Sequence, residues 1–196
     1  MGQTGPGGSA REPAAALPAR RFSRFASDPL ASPGSWPLPE DGLCLSSFVL
    51  LSPPGHPEEV LVGRIDPEHP WGEMGALDPR RAELNARGWM LPSCHLLHFE
   101  PPEAAAARIV KEQLGLPPLP LEGPKVFSET YSPRRHPDRG SHWDIEFLYR
   151  GTLPQGRVPT PPAWRELRCV EPAKTPRTDF TRSHDEVLEL AGYRFP

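Results

Sequence analysis

Proline constrains this chain more than any other residue: 29 of its 196 positions carry it, and a further 17 are glycine. A proline inside a helix removes a backbone donor and clashes with the preceding turn, and in a central strand it breaks the ladder. Ordered elements must therefore be short and joined by irregular connections, with at least one stretch left unfolded. Residues 1–40 fit that stretch, being rich in Gly, Ala, Pro and Ser without a sustained hydrophobic period. Residues 41–196 are expected to form one domain, since hydrophobic residues still make up 37% of the chain and can bury a single core.

Charge and cysteine usage narrow the function classes. The formal net charge is −3, so no basic excess steers the protein towards bulk nucleic acid. Cys44, Cys94 and Cys169 are isolated, which argues against a disulfide framework and against a cysteine-rich zinc site. A reducing, cytoplasmic setting is the natural expectation. No run of about eighteen apolar residues exists, so no membrane span is expected.

Hydrophobic patterning places the elements. Leu43–Leu51 is an apolar run that reads as a buried strand, the Pro53-Pro54-Gly55 segment as a turn, and Val60–Ile65 as the hairpin partner. Asp78–Arg87 reads as a short helix with Gly88 just past its end, and Trp89-Met90-Leu91 starts another strand. The best helix runs from Pro102 to Leu114: proline at its start, alanines within it, Gly115 at its stop. Val126–Tyr131, Trp143–Tyr149 and Trp164–Val170 read as strands, and His184–Ala191 as a closing helix ended by Gly192. Between the first two of these strands, Ser132–Ser141 is a polar linker with Arg134, Arg135 and Arg139. Strands, a helix, more strands and a final helix make a layered α/β (α+β) domain.

One constellation goes further. Leu91-Pro92-Ser93-Cys94-His95 leads to Glu100, then to Ala107-Arg108-Ile109-Val110-Lys111-Glu112-Gln113-Leu114-Gly115-Leu116. This spacing resembles the Nudix box, with Cys94 at the position of the family's glycine, Glu100 at its first glutamate and Arg108 at its arginine; Val110, Gly115 and Leu116 also match. The resemblance implies a Nudix-type α/β/α sandwich with a mixed central sheet, and hydrolysis of a nucleoside diphosphate linked to another moiety. It further implies Mg2+ or Mn2+ as cofactor, a nucleotide-type small molecule as partner, and allows a homodimer. By the same resemblance Glu112, Arg108 and Glu100 take the catalytic positions, and Glu112 and Gln113 face the metal. Arg64, Trp143 and Glu129 are candidate substrate contacts. Acidic residues on strands after the box are the family's further resource, here Glu129, Asp144 and Glu146.

The departures from the box bear on chemistry. Positions i, i+3 and i+4 share one helix face, so three carboxylates at 109, 112 and 113 would converge on one ion. Magnesium takes hard oxygen ligands. Ile109 offers none, Gln113 offers a neutral carbonyl, and Glu112 alone keeps a charge. Two functions follow as alternatives: a hydrolase with a weakened metal site, or a non-catalytic protein of the same fold that binds a nucleotide or a protein partner. Plainer roles stand beside each assignment. Ile109 can pack into the core, Trp143 can anchor a sheet face, and Arg108 can be a solvent-exposed arginine, although the resemblance implies that it braces the loop and helix, its planar fork suiting a carboxylate such as Glu100.

Overall fold

The computed structural model describes residues 24–25, 43–75, 77–131, 142–156 and 158–196. The Ser132–Ser141 linker lies outside them, as does most of the expected leader. Within that leader, Arg24–Phe25 forms a two-residue strand, β1, antiparallel to the start of β2 (Leu43–Ser52).

β2 organises the molecule. Phe48 to Leu51 are all buried, so this strand is covered on both faces and needs neighbours on both edges. One edge is shared by β1 and by β4 (Ser93–His95), both antiparallel. The other edge pairs in parallel with β6 (His142–Thr152) over its whole length, from Leu43↔Trp143 to Ser52↔Thr152. β5 (Leu121–Tyr131) lies antiparallel outside β6 and completes a mixed five-stranded sheet.

The expected hairpin between residues 43–51 and 60–65 does not form. β3 (Val60–Ile65) pairs instead with β7 (Trp164–Val170) in a separate antiparallel sheet. The reason is visible in the connection, where Pro53, Pro54 and Pro57 withhold backbone donors, and in β2, whose edges are taken by β4 and β6. Gly63 is fixed by its surroundings: a Cβ there would stand 2.2 Å from the Trp164 ring. Trp89 and Met90, expected to begin a strand, make isolated bridges to Phe180 and Gly63, and the strand proper starts at Ser93.

Helices cover both faces of the large sheet. α1 (Trp71–Gly75) is short. α2 (Pro79–Asn85) starts as its sequence dictates, with Asp78 accepting from the Arg81 N–H at 2.9 Å and proline in the first turn. α3 (Pro102–Arg108) continues into a wide turn over Ile109–Gln113, closed by the Leu114 N–H on the Ile109 carbonyl five residues back. Gly115 ends it at φ +62°, the left-handed conformation that its position after the helix requires. Ala105, Ala106, Ile109 and Val110 bury the inner side of α3 against Val49, Leu51 and Tyr149. On the opposite face, α4 (His184–Leu190) packs Val187 and Leu188 on Phe48, Leu50 and Leu148. Among the described residues no helix is long and apolar enough to cross a membrane. Cys44, Cys94 and Cys169 are free thiols.

Candidate functional site

The segment from β4 into α3 is held by one ion pair. Arg108 donates from Nε and Nη2 to the two carboxylate oxygens of Glu100 at 2.8 and 2.7 Å, a two-pronged contact that only a guanidinium makes in this plane. The same Nη2 reaches the His95 carbonyl at 3.1 Å, and Glu100 also accepts the Leu97 N–H at 2.8 Å. Both side chains are about nine-tenths buried, at 10% and 11% exposure. The loop between them is thereby fixed from both ends, and Phe99 at its tip takes φ +62° and stands out in solvent against the His98 ring. Burial alone would weaken the charge on Arg108; its hydrogen bonds to Glu100, with the negative charges of Glu100 and Glu112 nearby, hold its pKa above the usual value.

The helix face expected to meet a metal divides. Ile109 is fully buried in the core, and Gln113 is 2% exposed. Glu112 is exposed. The Gln113 amide points inward, donating Nε2 to the Ser93 carbonyl at 2.8 Å and to the Met74 carbonyl at 3.4 Å. The orientation of an amide is settled by its partners. Two carbonyl oxygens accept only, so the NH2 end must face them. The Oε1 end is then buried without a hydrogen-bond partner. The Gln113 carbonyl accepts from Trp164 Nε1 at 2.7 Å, which ties the turn to the second sheet. A divalent ion needs converging oxygen lone pairs. Here a donor stands where a ligand is required, and an aliphatic side chain stands one turn away, so these residues do not fit the ion that the box resemblance implies.

The candidate substrate contacts lie apart from one another. Arg64 stacks its guanidinium on the Trp89 ring at 4.4 Å, alongside Arg168 at 4.1 Å, and serves the small sheet. Trp143 is 38% exposed and donates to Ser128 Oγ at 2.8 Å. Glu129 pairs in register with Asp144. Successive strand residues face opposite sides, so Trp143 and the Asp144–Glu129 pair occupy opposite faces of the sheet. Cys94 is buried beneath the loop, and burial pushes its thiol up to about 12, which removes it as a nucleophile.

The acids of β5 and β6 gather on the α4 face. Asp144 and Glu146 are buried, and Glu129 is half-buried beside them. Burial, reinforced by Asp144, Glu129 and Glu186, pushes the Glu146 carboxyl up to about 8; Arg182 opposes this. A hydrogen-bonded chain links this group to the box loop. Arg182 has only donors, so its Nη2 must give a hydrogen bond to His95 Nε2, 3.3 Å away. The proton of that neutral ring then sits on Nδ1 and is directed at Ser46 Oγ at 3.3 Å, and Ser46 donates to Asp144 Oδ1 at 3.4 Å. The sequence reading did not single out Ser46 or Arg182. Ser46 had one legible signal, a hydroxyl inside an otherwise apolar strand. Arg182 has none, because its place depends on the left-handed turn at residues 182–183 that leads into α4.

No protein-family model matches the chain, and no curated protein matches it. Solved structures that it resembles include Nudix and MutT hydrolases. The MutT Nudix hydrolase from Burkholderia pseudomallei is 17% identical, with 75% of this chain and 96% of that one covered at a TM-score of 0.48. The MutT protein from Methanosarcina mazei Go1 is 14% identical, covering 78% and 97% at 0.49. The Nudix domain of Shewanella oneidensis NrtR, solved with ADP ribose, is 12% identical, covering 86% and 84% at 0.45.

Proposed function

We propose that this chain is a Nudix-type protein that binds a nucleoside diphosphate linked to a second group, and that its box helix holds the loop in place rather than a divalent ion. One observation carries the reading: the amide of Gln113 is buried and donates to the Ser93 and Met74 carbonyls, so the helix position meant for a ligand serves as an internal tie. The Glu100–Arg108 pair supports the box register, because it joins the two positions that the resemblance assigns to a brace. Glu112 keeps its carboxylate and is exposed. The proposal favours the binding alternative over a Mg2+- or Mn2+-dependent hydrolase. The three unpaired thiols support a reducing compartment.

The test is a panel of ADP-ribose, dinucleoside polyphosphates and oxidised nucleotides. Each is mixed with the protein with and without Mg2+ or Mn2+, while melting temperature and product formation are followed together. Stabilisation by a panel member without cleavage is the expected result. Metal-dependent turnover that disappears in Glu112→Ala would overturn the proposal and restore the hydrolase.

A further inference from the structure

Two features outside the box meet on the turn between β2 and β3. The first is a set of ligating side chains: His56, Glu58 and Glu59 each bring one ligand atom within 4.8 Å of the other two, the one such group among the described residues. The second is a cleft of about 370 Å³ whose walls include Glu58, Glu171, Arg150 and Tyr193. Glu58 belongs to both, so the ligating group opens onto the cleft.

The turn is stiff before anything binds. Pro53, Pro54 and Pro57 fix φ at three positions. His56 sits between two consecutive reverse turns: its N–H donates to the Pro53 carbonyl and its own carbonyl accepts from the Glu59 N–H, each at 3.1 Å. His56 Nδ1 and Glu58 Oε1 stand 3.2 Å apart. Ligands about 2.0–2.2 Å from a tetrahedral ion stand roughly 3.3–3.6 Å from one another, so this pair has close to the separation of one edge of such a site. Rotation of the Glu59 side chain brings in the third ligand.

The nearby cations are spent elsewhere. Lys174 feels both carboxylates, yet it closes on Glu171 at 2.6 Å. Arg150 gives its Nη2 to the Ala191 carbonyl and lies over the Tyr193 ring. Among the described residues, neither Glu58 nor Glu59 forms an ion pair with a lysine or arginine. His56 and Glu58 are 59% and 51% exposed, which leaves room for water on an ion bound between them.

We propose that His56, Glu58 and Glu59 bind a divalent ion of the zinc type, with its open positions facing the cleft. One imidazole nitrogen with two carboxylates suits such an ion, whereas magnesium and calcium take oxygen ligands. The site shares no residue with the box and does not rest on the nucleotide reading.

The probe is Co2+, whose visible absorption reports its coordination, titrated into the full-length protein at pH 7.5, with Zn2+ and Mg2+ as competitors. One saturable Co2+ site per chain is expected, with a Kd below about 100 µM, displaced by Zn2+ and left in place by an equal concentration of Mg2+. His56→Ala, Glu58→Gln and Glu59→Gln are each expected to weaken it about tenfold or more, with melting temperature confirming that each variant folds. His98→Ala, on the loop before α3, is expected to leave it unchanged. Absence of a saturable site, equal binding by the native chain and His56→Ala, displacement by equimolar Mg2+, or loss of the site in His98→Ala would each overturn the proposal.

Discussion

On the α3 face of the central sheet the polar side chains are turned to structural use. Gln113 spans two carbonyls, and Arg108 closes on Glu100 with both prongs. On the α4 face, Glu146 lies buried with an oxygen that nothing satisfies, among three other acids. The two faces share strands β2 and β6, so the difference does not come from the backbone. It comes from which residues alternate along those strands and from what each helix brings. α3 brings alanines and aliphatics that seal its side, while α4 arrives with Glu186 behind Arg182. Both faces hold a buried oxygen without a hydrogen-bond partner, Gln113 Oε1 on one and Glu146 Oε2 on the other, but the buried acids are on the α4 side. Here the helix that resembles the box is closed, and the buried acids Asp144 and Glu146 sit across the sheet.

Substitutions that load charge onto the closed face should have the largest effects. Ile109→Glu would place an unpaired carboxylate in the core and is expected to lower stability by about 4 kcal/mol, read from urea unfolding. A loss below about 1 kcal/mol would mean that the helix face is open after all. Arg108→Ala strands the Glu100 carboxylate in a mostly buried loop, at a loss of about 3 kcal/mol, with faster amide exchange across residues 95–100.

Gln113→Glu sharpens the comparison. A carboxylate opposite two carbonyl oxygens lacks the donor that the amide supplies, so stability should fall by about 2 kcal/mol at neutral pH. It should be regained on acidification, when the protonated side chain can donate again, or on adding Mn2+. Equal stability of Gln113→Glu and the native chain at neutral pH, with no response to either condition, would contradict the donor role.

On the open face the expected effect is smaller and depends on pH. The Glu146 carboxyl is raised from 4.5 to about 8 in the folded protein, so it favours folding below pH 4.5 and loses that contribution as pH rises towards 8. Glu146→Gln should therefore melt a few degrees higher than the native chain at pH 8, with the difference fading by pH 5. His184 acts in the opposite sense. It is fully buried, accepts the Leu91 N–H at 2.7 Å, and its pKa is held well below 6.5 by burial and by Arg182, so its contribution is lost as pH falls below about 6.5. The same background applies to both proteins, and their difference isolates Glu146.

Much of the fold was legible because local chemistry dictated it. Asp78 and Pro79 start α2, the alanines and Gly115 define α3, and Gly192 follows α4 at φ +96°. Strand partners were not legible. Residues 60–65 read as a hairpin arm, yet pairing depends on which edges other strands have already taken, and β6 comes from nearly a hundred residues away. In the site, the resemblance to the Nudix box located the brace of Glu100 and Arg108. The inward turn of Gln113 was hidden, since it depends on Met74 and Ser93 carbonyls brought from two other segments. The placement of Arg64 was equally hidden, because its stacking partner Trp89 lies outside any strand.

Manganese titration of the native protein, followed by electron paramagnetic resonance alongside Glu112→Ala, addresses the box helix most directly. The account predicts no saturable Mn2+ population that Glu112→Ala removes. A stoichiometric site present in the native chain and absent from that variant would contradict it.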